Sequence, residues 1–184
     1  MILLTGQRPG EVAGMRWDEL NLSAGLWHLP PERTKNGRAH TVPLSGAVLA
    51  ILDELRAVAT SAQFVFPSPK EGQAVNDEAF AWALRHARQP TPEHPAGRLA
   101  GLEHFTPHDL RRTCRTGLAA LGIDYVTAER VLNHTLPGSA VHAVYNRHDY
   151  IPQMRAALEA WAMHVRALVD GTPAAATNVV PIRA

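Results

Sequence analysis

Apolar residues recur at helical spacing along most of the chain. One apolar stripe consists of Val48, Ile51, Leu52 and Leu55. It predicts a helix that Ser45 can cap and that ends near Ala57. A second stripe consists of Met154, Leu158, Trp161 and Val165, and it predicts a long last helix that begins at Pro152. Apolar spacing, capping residues and stop signals predict further helices over about residues 9–15, 76–87, 106–121, 126–132 and 141–145.

Shorter apolar stretches predict strands. Residues 26–29 and 39–43 are interpreted as antiparallel partners. The Asn36-Gly37 pair between them is a strong turn signal because both residue types tolerate positive φ, and this places Lys35 beside the tip of a hairpin. Residues 64–66, Phe-Val-Phe, are interpreted as a third strand that the following prolines end.

These elements predict an α+β fold that is mainly α-helical, with a small three-stranded antiparallel sheet near the N-terminus. Residues 89–104 contain three prolines, two glycines and no helical stripe, which predicts a long loop. We expect one domain over residues 1–170 and a flexible tail over residues 171–184, which are mostly small residues and proline. Residues 1–4 are typical of the end of a helix, so we expect the chain to belong to a longer protein.

Composition limits the possible functions without selecting one. The 184 residues are 46% hydrophobic, which suits a packed domain. The net charge is only +1, from 18 Lys and Arg against 17 Asp and Glu, so a DNA-binding face would depend on where the charges lie. Cys114 is the single cysteine, which excludes an internal disulfide. The sequence shows no signal peptide and no apolar run long enough to cross a membrane.

Six residues supply the groups that can break a phosphodiester without a metal. In-line attack requires stabilised charge on the phosphate, a nucleophile that loses a proton and a leaving oxygen that gains one. Cations, proton donors and acceptors, and a nucleophile are provided in chain order by Arg8, Lys35, His108, Arg111, His134 and Tyr145.

His108 and Arg111 form the most suggestive pair. They are three residues apart in the first turns of a predicted helix, so they share a face near free backbone N–H groups. Arginine can donate two parallel hydrogen bonds to one phosphate. The alternative for the pair alone is an ordinary solvated helix start. Arg112 and Arg115, on other faces, are expected to contact DNA or to form surface ion pairs.

Arg8 and Lys35 each have a common alternative explanation. Arg8 lies between glycines and a proline, in a turn that can direct one side chain or simply begin a helix. Lys35, near a hairpin tip, can reach outward to a substrate or only add surface charge.

His134 and Tyr145 are also ambiguous individually. His134 follows a helix end and can be a cap or a buried histidine. Tyr145 competes with Tyr125 and Tyr150 as a nucleophile. A tyrosine phenol has a pKa of about 10, so it needs a base and a cationic site to attack a phosphate.

The ordered set of motifs resembles the catalytic domain of the tyrosine recombinases, and phage and prophage integrases are the most similar subgroup. The resemblance extends from Leu3 to about Trp161. Its motifs are Thr5-Gly6-Gln7-Arg8-Pro9-Gly10-Glu11, Thr34-Lys35-Asn36-Gly37, His108-x-x-Arg111, Val131-Leu132-Asn133-His134 and Ala143-Val144-Tyr145-Asn146-Arg147.

The resemblance implies a tyrosine-recombinase catalytic-domain fold and a role for each candidate residue. Arg8 and Arg111 would bind the scissile phosphate, and Lys35 would protonate the leaving 5′ oxygen. His108 would assist proton transfer from the nucleophile, and His134 would hydrogen-bond the phosphate. Tyr145 would attack and form a 3′-phosphotyrosyl link. Glu11 would support the turn that presents Arg8, and Arg111→Ala is expected to abolish cleavage while leaving the fold intact.

The implied function is site-specific recombination that integrates or excises a mobile element, with no cofactor and no metal. The implied partners are double-stranded DNA at att-like sites and further copies of the chain, as a tetramer on DNA in the full-length protein. The expected location is the bacterial cytoplasm, at the nucleoid. Family members normally carry an N-terminal DNA-clamping domain that precedes the motifs seen here. Whether Tyr145 acts in its own subunit or in a neighbour stays open.

Other functions are also compatible with parts of the sequence. The chain could be a truncated remnant that binds DNA or only folds. Type IB topoisomerase chemistry is related, but the motifs resemble integrases more. A metal hydrolase is a weaker alternative prompted by the 10 histidines. It is disfavoured because Pro107 places His104 outside the helix that carries His108, and no acidic residue has ligand-like spacing with them.

Overall fold

The computed structural model describes residues 1–135 and 150–171. Within these ranges the chain forms seven α-helices, two 3₁₀ turns and one three-stranded sheet. In chain order the elements are α1 (Ile2–Thr5), α2 (Pro9–Ala13), a 3₁₀ turn (Trp17–Glu19), β1 (Leu20–Asn21), β2 (Leu26–Leu29), a second 3₁₀ turn (Pro31–Arg33), β3 (His40–Pro43), α3 (Gly46–Ala57), α4 (Asp77–Ala87), α5 (Pro107–Ala120), α6 (Tyr125–Val131) and α7 (Ile151–Val169).

The predicted helices within the described ranges are confirmed, most of them with bounds shifted by one or two residues. Thr106 caps α5 by accepting a hydrogen bond from the backbone N–H of Asp109, and Gly122 follows the helix with a φ of 75°. Ser45 precedes α3 as expected, but its side chain makes no capping hydrogen bond. The predicted helix at 141–145 lies outside the described residues, as does the predicted tail apart from Gly171.

The sheet has the predicted number of strands, but one of them was assigned to the wrong segment. The strand order is β1-β2-β3, with Leu20 opposite Trp27 and Trp27 opposite Val42, all antiparallel. Residues 64–66 form no strand. Their backbone instead makes single contacts with the loop after α2, where the Val65 N–H donates to the Met15 carbonyl at 2.9 Å. Proline, which follows at 67, lacks the N–H that a longer ladder would require.

The hydrophobic core lies between the inner face of the sheet and the helices. Trp27 and Leu29 point inward with almost no exposure, whereas His28 between them is exposed. They belong to one cluster with buried residues of α3, α5 and α7, including Val48, Leu52, Leu118 and Leu158. The core thus fixes how β2 and β3, which flank the Lys35 turn, sit relative to α5.

Helices α5 and α7 approach closely because of one glycine. A Cβ added at Gly117 would lie 2.1 Å from the Trp161 ring, which is closer than any side chain allows. The Trp161 indole N–H donates to the Leu3 carbonyl at 2.8 Å, so the same tryptophan also holds α1. Trp161 of α7 therefore contacts both α1 and α5 and helps to hold these two helices together. No helix of residues 1–135 and 150–171 is both long and apolar enough to cross a membrane.

Candidate active site

Arg111 is anchored inside the protein. Its side chain is on α5, but the residue is only 3% exposed. One guanidinium nitrogen, Nη1, donates to the Gly6 carbonyl at 2.6 Å, and Nη2 donates to the Leu132 carbonyl at 2.7 Å. Arg111 therefore ties together the end of α1, the start of α5 and the turn after α6. The expectation that removing it would leave the fold intact is revised, because removal would leave two backbone acceptors without these partners.

His134 lies against Arg111 at the end of α6. The Arg111 Nη2 is 2.9 Å from His134 Nε2, and His134 Nδ1 is 2.6 Å from the Glu129 Oε2. An arginine can only donate, so Nε2 of the imidazole must accept, and Nδ1 carries the proton that is donated to the Glu129 carboxylate. These partners define one tautomer and one ring orientation. His134 nevertheless keeps 39% of its side chain exposed, so its ring can still meet a ligand from solvent.

Arg8 is held at the start of α2 by a buried glutamate. Glu11 accepts from the Arg8 backbone N–H at 2.9 Å and from its Nη1 at 3.0 Å. The Glu11 side chain is 3% exposed and that of Arg8 is 21% exposed. The structure agrees with the expected supporting role of Glu11. The Arg8 guanidinium keeps further N–H groups for an anion because only one nitrogen is used by this ion pair.

Gly6 shapes the same turn. It follows α1 with a φ of 66°, which favours glycine. A Cβ at this position would also lie 2.9 Å from a methyl carbon of Leu132 and 3.1 Å from the Cys114 sulfur. The Thr5-Gly6 pair of the motif is thus required by backbone conformation and by close packing beneath Arg8.

Lys35 is part of the turn between β2 and β3. The Gly37 N–H donates to the Thr34 carbonyl at 3.2 Å, so Lys35 and Asn36 occupy the centre of the turn. The turn predicted from Asn36-Gly37 is present, but only Gly37, with a φ of 67°, uses the positive φ that both residue types tolerate. The connection between the strands is longer because a 3₁₀ turn precedes it.

A side-chain bridge connects the Lys35 turn to the His134 turn. The Asn36 amide donates to both the backbone carbonyl and the side-chain oxygen of Asn133, each at 3.0 Å. Asn133 itself has a φ of 52°, a conformation that asparagine tolerates better than most residues. Lys35 and His134 are therefore each next to one member of the same hydrogen-bonded pair, although they are 99 positions apart in sequence.

Three of the predicted residues line one open groove. Arg8, Lys35 and His108 border a space of about 390 Å³, together with Gly10, Glu11 and Asp77. His134 borders a neighbouring space of about 300 Å³ with His40, Arg130 and Tyr150. Within the described residues, neither the Lys35 nor the His108 side chain has a hydrogen bond or an ion pair, and both residues are exposed. The groove therefore places an exposed lysine and an exposed histidine beside one anchored arginine.

The cations of the site influence one another. Burial, and next the positive charge of Arg8, lower the pKa of Arg111 to about 10, so it remains charged at neutral pH. An anion between Arg8 and Arg111 would relieve this repulsion. A phosphate oxygen is a suitable ligand because guanidinium groups match its geometry.

Tyr145, the predicted nucleophile, lies outside the described residues. Neither of the two other tyrosines borders the groove of Arg8, Lys35 and His108, although Tyr150 borders the neighbouring space with His134. Tyr125 begins α6 with its ring beneath Arg115, and the guanidinium of Arg130 lies 4.1 Å from the centre of the Tyr150 ring. Cys114 is buried, and burial raises the pKa of its thiol to about 12, which makes it a poor nucleophile. In residues 1–135 and 150–171 no three His, Cys, Asp or Glu side chains are grouped to hold a metal ion.

Several supporting residues were not identified from the sequence. Gln7 is fully buried, and its amide donates to the Thr5 and Val131 carbonyls at 2.8 Å each. Glu129 pairs with both His134 and Arg115. For Gln7, the one available sequence signal was its position next to Arg8. Glu129 had no such signal, because an acidic residue on a short helix is ordinarily exposed. Of the two alternatives expected for Arg112, contact with DNA or a surface ion pair, the ion pair is present, with Asp109 at 3.0 Å.

Solved structures share this fold at low sequence identity. The integrase from mycobacterium phage Brujita matches with a TM-score of 0.58 at 20% identity, over 86% of this chain and 48% of that protein. The Tn1549 transposon integrase, in complex with a circular intermediate DNA, matches with a TM-score of 0.57 at 18% identity, over 86% and 55%. The predicted fold, that of a tyrosine-recombinase catalytic domain, is confirmed.

Sequence relatives agree with the structural likeness. Prophage integrase IntA of Escherichia coli (strain K12) is 36% identical over 171 residues, which cover 92% of this chain and 38% of that protein. The integrase of Enterobacteria phage P4 is 25% identical over 174 residues, covering 87% and 37%. The chain spans about two fifths of the length of these relatives. Because residues 1–150 match the phage integrase family, this chain belongs to that family.

Proposed function

We propose that the chain is the catalytic part of a site-specific DNA recombinase that cleaves and rejoins DNA through a covalent tyrosine intermediate. The observation that carries the proposal is the grouping of Arg8, Lys35 and His108 around one groove beside the Arg111–His134 pair. Five residues that are dispersed over 127 positions of the sequence, from Arg8 to His134, supply the cations and proton donors that a phosphodiester cleavage needs.

Each residue has a role that fits its position. Arg8 and Arg111 bind the non-bridging oxygens of the scissile phosphate. Exposed Lys35 gives a proton to the leaving 5′ oxygen, and exposed His108 assists removal of the proton from the nucleophile. His134 holds the Arg111 guanidinium through Nε2, and it hydrogen-bonds the phosphate when that nitrogen gains a proton, with Nδ1–H still on Glu129.

Tyr145 is the nucleophile of the proposal. Its oxygen attacks phosphorus, the bond from phosphorus to the 5′ oxygen breaks, and a 3′-phosphotyrosyl link forms. The 5′-hydroxyl of another strand then reverses the step, and this exchanges strands. Support comes from the family match, which includes the position of Tyr145. The rings of Tyr125 and Tyr150 each contact an arginine, and neither borders the groove of Arg8, Lys35 and His108.

The substrate we propose is double-stranded DNA carrying an att-like site, bound by four copies of the longer protein in the bacterial cytoplasm, at the nucleoid. The structural relative from Tn1549 was determined with DNA, which supports a duplex substrate for this chain. The relatives named prophage integrases support integration or excision of a mobile element as the biological outcome.

The test is covalent capture on DNA. The chain is incubated in EDTA with a pool of nicked duplexes that have a randomised core, and adducts that survive SDS are counted and sequenced. We expect an adduct for the wild type and none for Tyr145→Phe. Tyr150→Phe is the matched control, because it removes a hydroxyl five residues away and should leave adduct formation unchanged.

Two outcomes would contradict the proposal. An adduct that persists in Tyr145→Phe and disappears in Tyr150→Phe would assign the nucleophile to Tyr150. No adduct in the wild type, with the DNA still bound, would favour a remnant that binds DNA without cleaving it.

A further inference from the structure

Glu129 occupies a position that the motifs of the chain do not include. It is on α6, is 9% exposed, and its two carboxylate oxygens have different partners. Oε1 accepts from the Arg115 Nε at 2.6 Å, and Oε2 accepts from the His134 Nδ1 at 2.6 Å. The carboxylate therefore connects an arginine of α5 to the histidine beside Arg111.

The hydrogen bond from His134 Nδ1 to Glu129 determines whether the other ring nitrogen, Nε2, is a donor or an acceptor. With Nδ1–H bonded to Glu129, the proton is on the nitrogen that faces away from Arg111, and Nε2 is directed toward the Arg111 guanidinium. Without the carboxylate, the neutral ring could hold its proton on either nitrogen or rotate. A proton on Nε2 would then face the N–H group of Arg111, and the two donors would repel each other.

Charge favours the same arrangement. Burial alone would raise the pKa of Glu129, but hydrogen bonds from Arg115 and His134 outweigh burial and hold that pKa below its ordinary value. Glu129 is thus a carboxylate at neutral pH and accepts from both neighbours. The Arg115 guanidinium is in turn 5.5 Å from the centre of the Tyr125 ring.

We propose that Glu129 is a positioning residue for DNA cleavage: it fixes the tautomer and orientation of His134, and through His134 the placement of Arg111 at the scissile phosphate. This inference rests on the proposed function. Glu129 itself does not touch DNA. The alternative is that Glu129 only stabilises the fold through its ion pair with Arg115.

The experiment compares three variants of the full chain. Glu129→Ala removes the carboxylate. Glu129→Gln keeps the size, but it replaces one of the two accepting oxygens with an NH2 donor, so Arg115 and His134 cannot both keep their acceptor in this geometry. Asp124→Ala is the matched control, because it removes the side-chain cap of the same helix without contact to His134. For each variant, adduct formation on the nicked duplex pool, the urea midpoint and the ¹⁵N shifts of the His134 ring are measured, with His134→Gln used for assignment.

We expect Glu129→Ala to slow adduct formation on the order of a hundredfold, the size of effect that misplacement of a reacting group by about 1 Å can produce. Glu129→Gln should be slowed as well, although its urea midpoint should fall no further than that of Asp124→Ala. The ¹⁵N shifts should show Nδ1–H in the wild type and a mixture of tautomers in both Glu129 variants.

Different outcomes separate this inference from the proposed function. If the wild type forms the adduct and Glu129→Gln forms it equally fast, the positioning role is overturned while the function stands. If His134 keeps its Nδ1–H tautomer in Glu129→Ala, the role is also overturned. If the wild type forms no adduct, the proposed function fails, and a tautomer that still depends on Glu129 would support the positioning contact alone.

Discussion

The candidate site has two halves that are built in opposite ways. The interior half consists of Arg111, His134 and Glu129, and each of these side chains is held by hydrogen bonds to other residues of the chain. The rim half consists of Arg8, Lys35 and His108 around the open groove. Two of its three side chains have no protein partner among residues 1–135 and 150–171, and Arg8 has only Glu11.

The difference shows how one site can hold some groups in fixed positions and leave others accessible to a substrate. The interior half determines geometry, because its groups are held by backbone carbonyls and a buried carboxylate before any ligand arrives. The rim half provides Lys35 and His108, which exchange protons with the substrate and are not bonded to the described residues, together with Arg8, which binds the phosphate and is held by Glu11. Substitutions in the interior half should therefore affect both stability and cleavage, whereas substitutions in the rim half should affect cleavage alone.

The largest expected effect is the loss of Arg111. Arg111→Ala should lower the free energy of unfolding by about 3 kcal/mol or more, because two buried carbonyls lose their donor and a space opens between α1 and α5. Lys35→Ala, the matched rim variant, should change it by less than about 0.5 kcal/mol. Urea unfolding of both variants measures the difference. Equal stability of the two would remove the distinction between the halves.

A second prediction concerns the helix that carries Arg111. Gly117→Ala should destabilise the protein by about 1–3 kcal/mol, because the added methyl would overlap the Trp161 ring. Gly10→Ala, beside the rim half, has no atom within 4 Å of the added carbon and should be neutral or slightly stabilising. Thermal unfolding of both glycine variants measures the difference. A Gly117→Ala variant as stable as the wild type would contradict the close packing of Gly117 against Trp161.

A third prediction uses pH to probe the support of the interior half. His40 is 3.2 Å from the Val131 carbonyl through Nε2, and burial lowers its pKa to about 4. The unfolded chain therefore takes up a proton near pH 6.5 while the folded chain does not. The contribution of neutral His40 to the free energy of unfolding is therefore fully present above about pH 6.5. It is lost as the pH falls toward 4, and below that pH it no longer changes.

Lowering the pH from 7 to 5 should reduce the free energy of unfolding by about 2 kcal/mol through His40. His40→Gln keeps a donor for the Val131 carbonyl but does not titrate. It should therefore be less sensitive to pH over the same range in urea unfolding. An unchanged pH dependence in His40→Gln would show that other groups cause it.

The sequence predicted the rim half better than the interior half. Motif order proposed candidates in both halves, Arg111 and His134 as well as Arg8, Lys35 and His108, but it gave none of the contacts of the interior half. Local signals such as Thr106-Pro107 did place His108 at a helix start. Local patterns also predicted most helices, because capping and apolar spacing depend on neighbours in sequence. The strand at residues 20–21 was missed, since two residues carry no alternation to recognise.

The burial of Arg111 could not be read from its neighbours. Its partners Gly6 and Leu132 are 105 and 21 positions away, and nothing in the spacing of His108 and Arg111 shows that one faces solvent and the other the interior. The pairing of Glu129 with His134 required the turn at Asn133, whose positive φ brings the ring back over the helix end. Long-range contacts and unusual backbone angles are the features that residue order does not encode locally.

The most direct test of this comparison is cleavage of DNA with an altered leaving group. A duplex with sulfur in place of the bridging 5′ oxygen releases a thiolate. A thiol has a pKa of about 8.5, so its thiolate leaves without a donated proton. On ordinary DNA, Lys35→Ala and Arg111→Ala should each lose on the order of a hundredfold or more in adduct formation. On the sulfur-containing DNA, Lys35→Ala should recover to near the wild-type rate and Arg111→Ala should stay defective. Failure of Lys35→Ala to recover, or recovery of both variants, would contradict the assignment of proton donation to Lys35 and phosphate placement to Arg111.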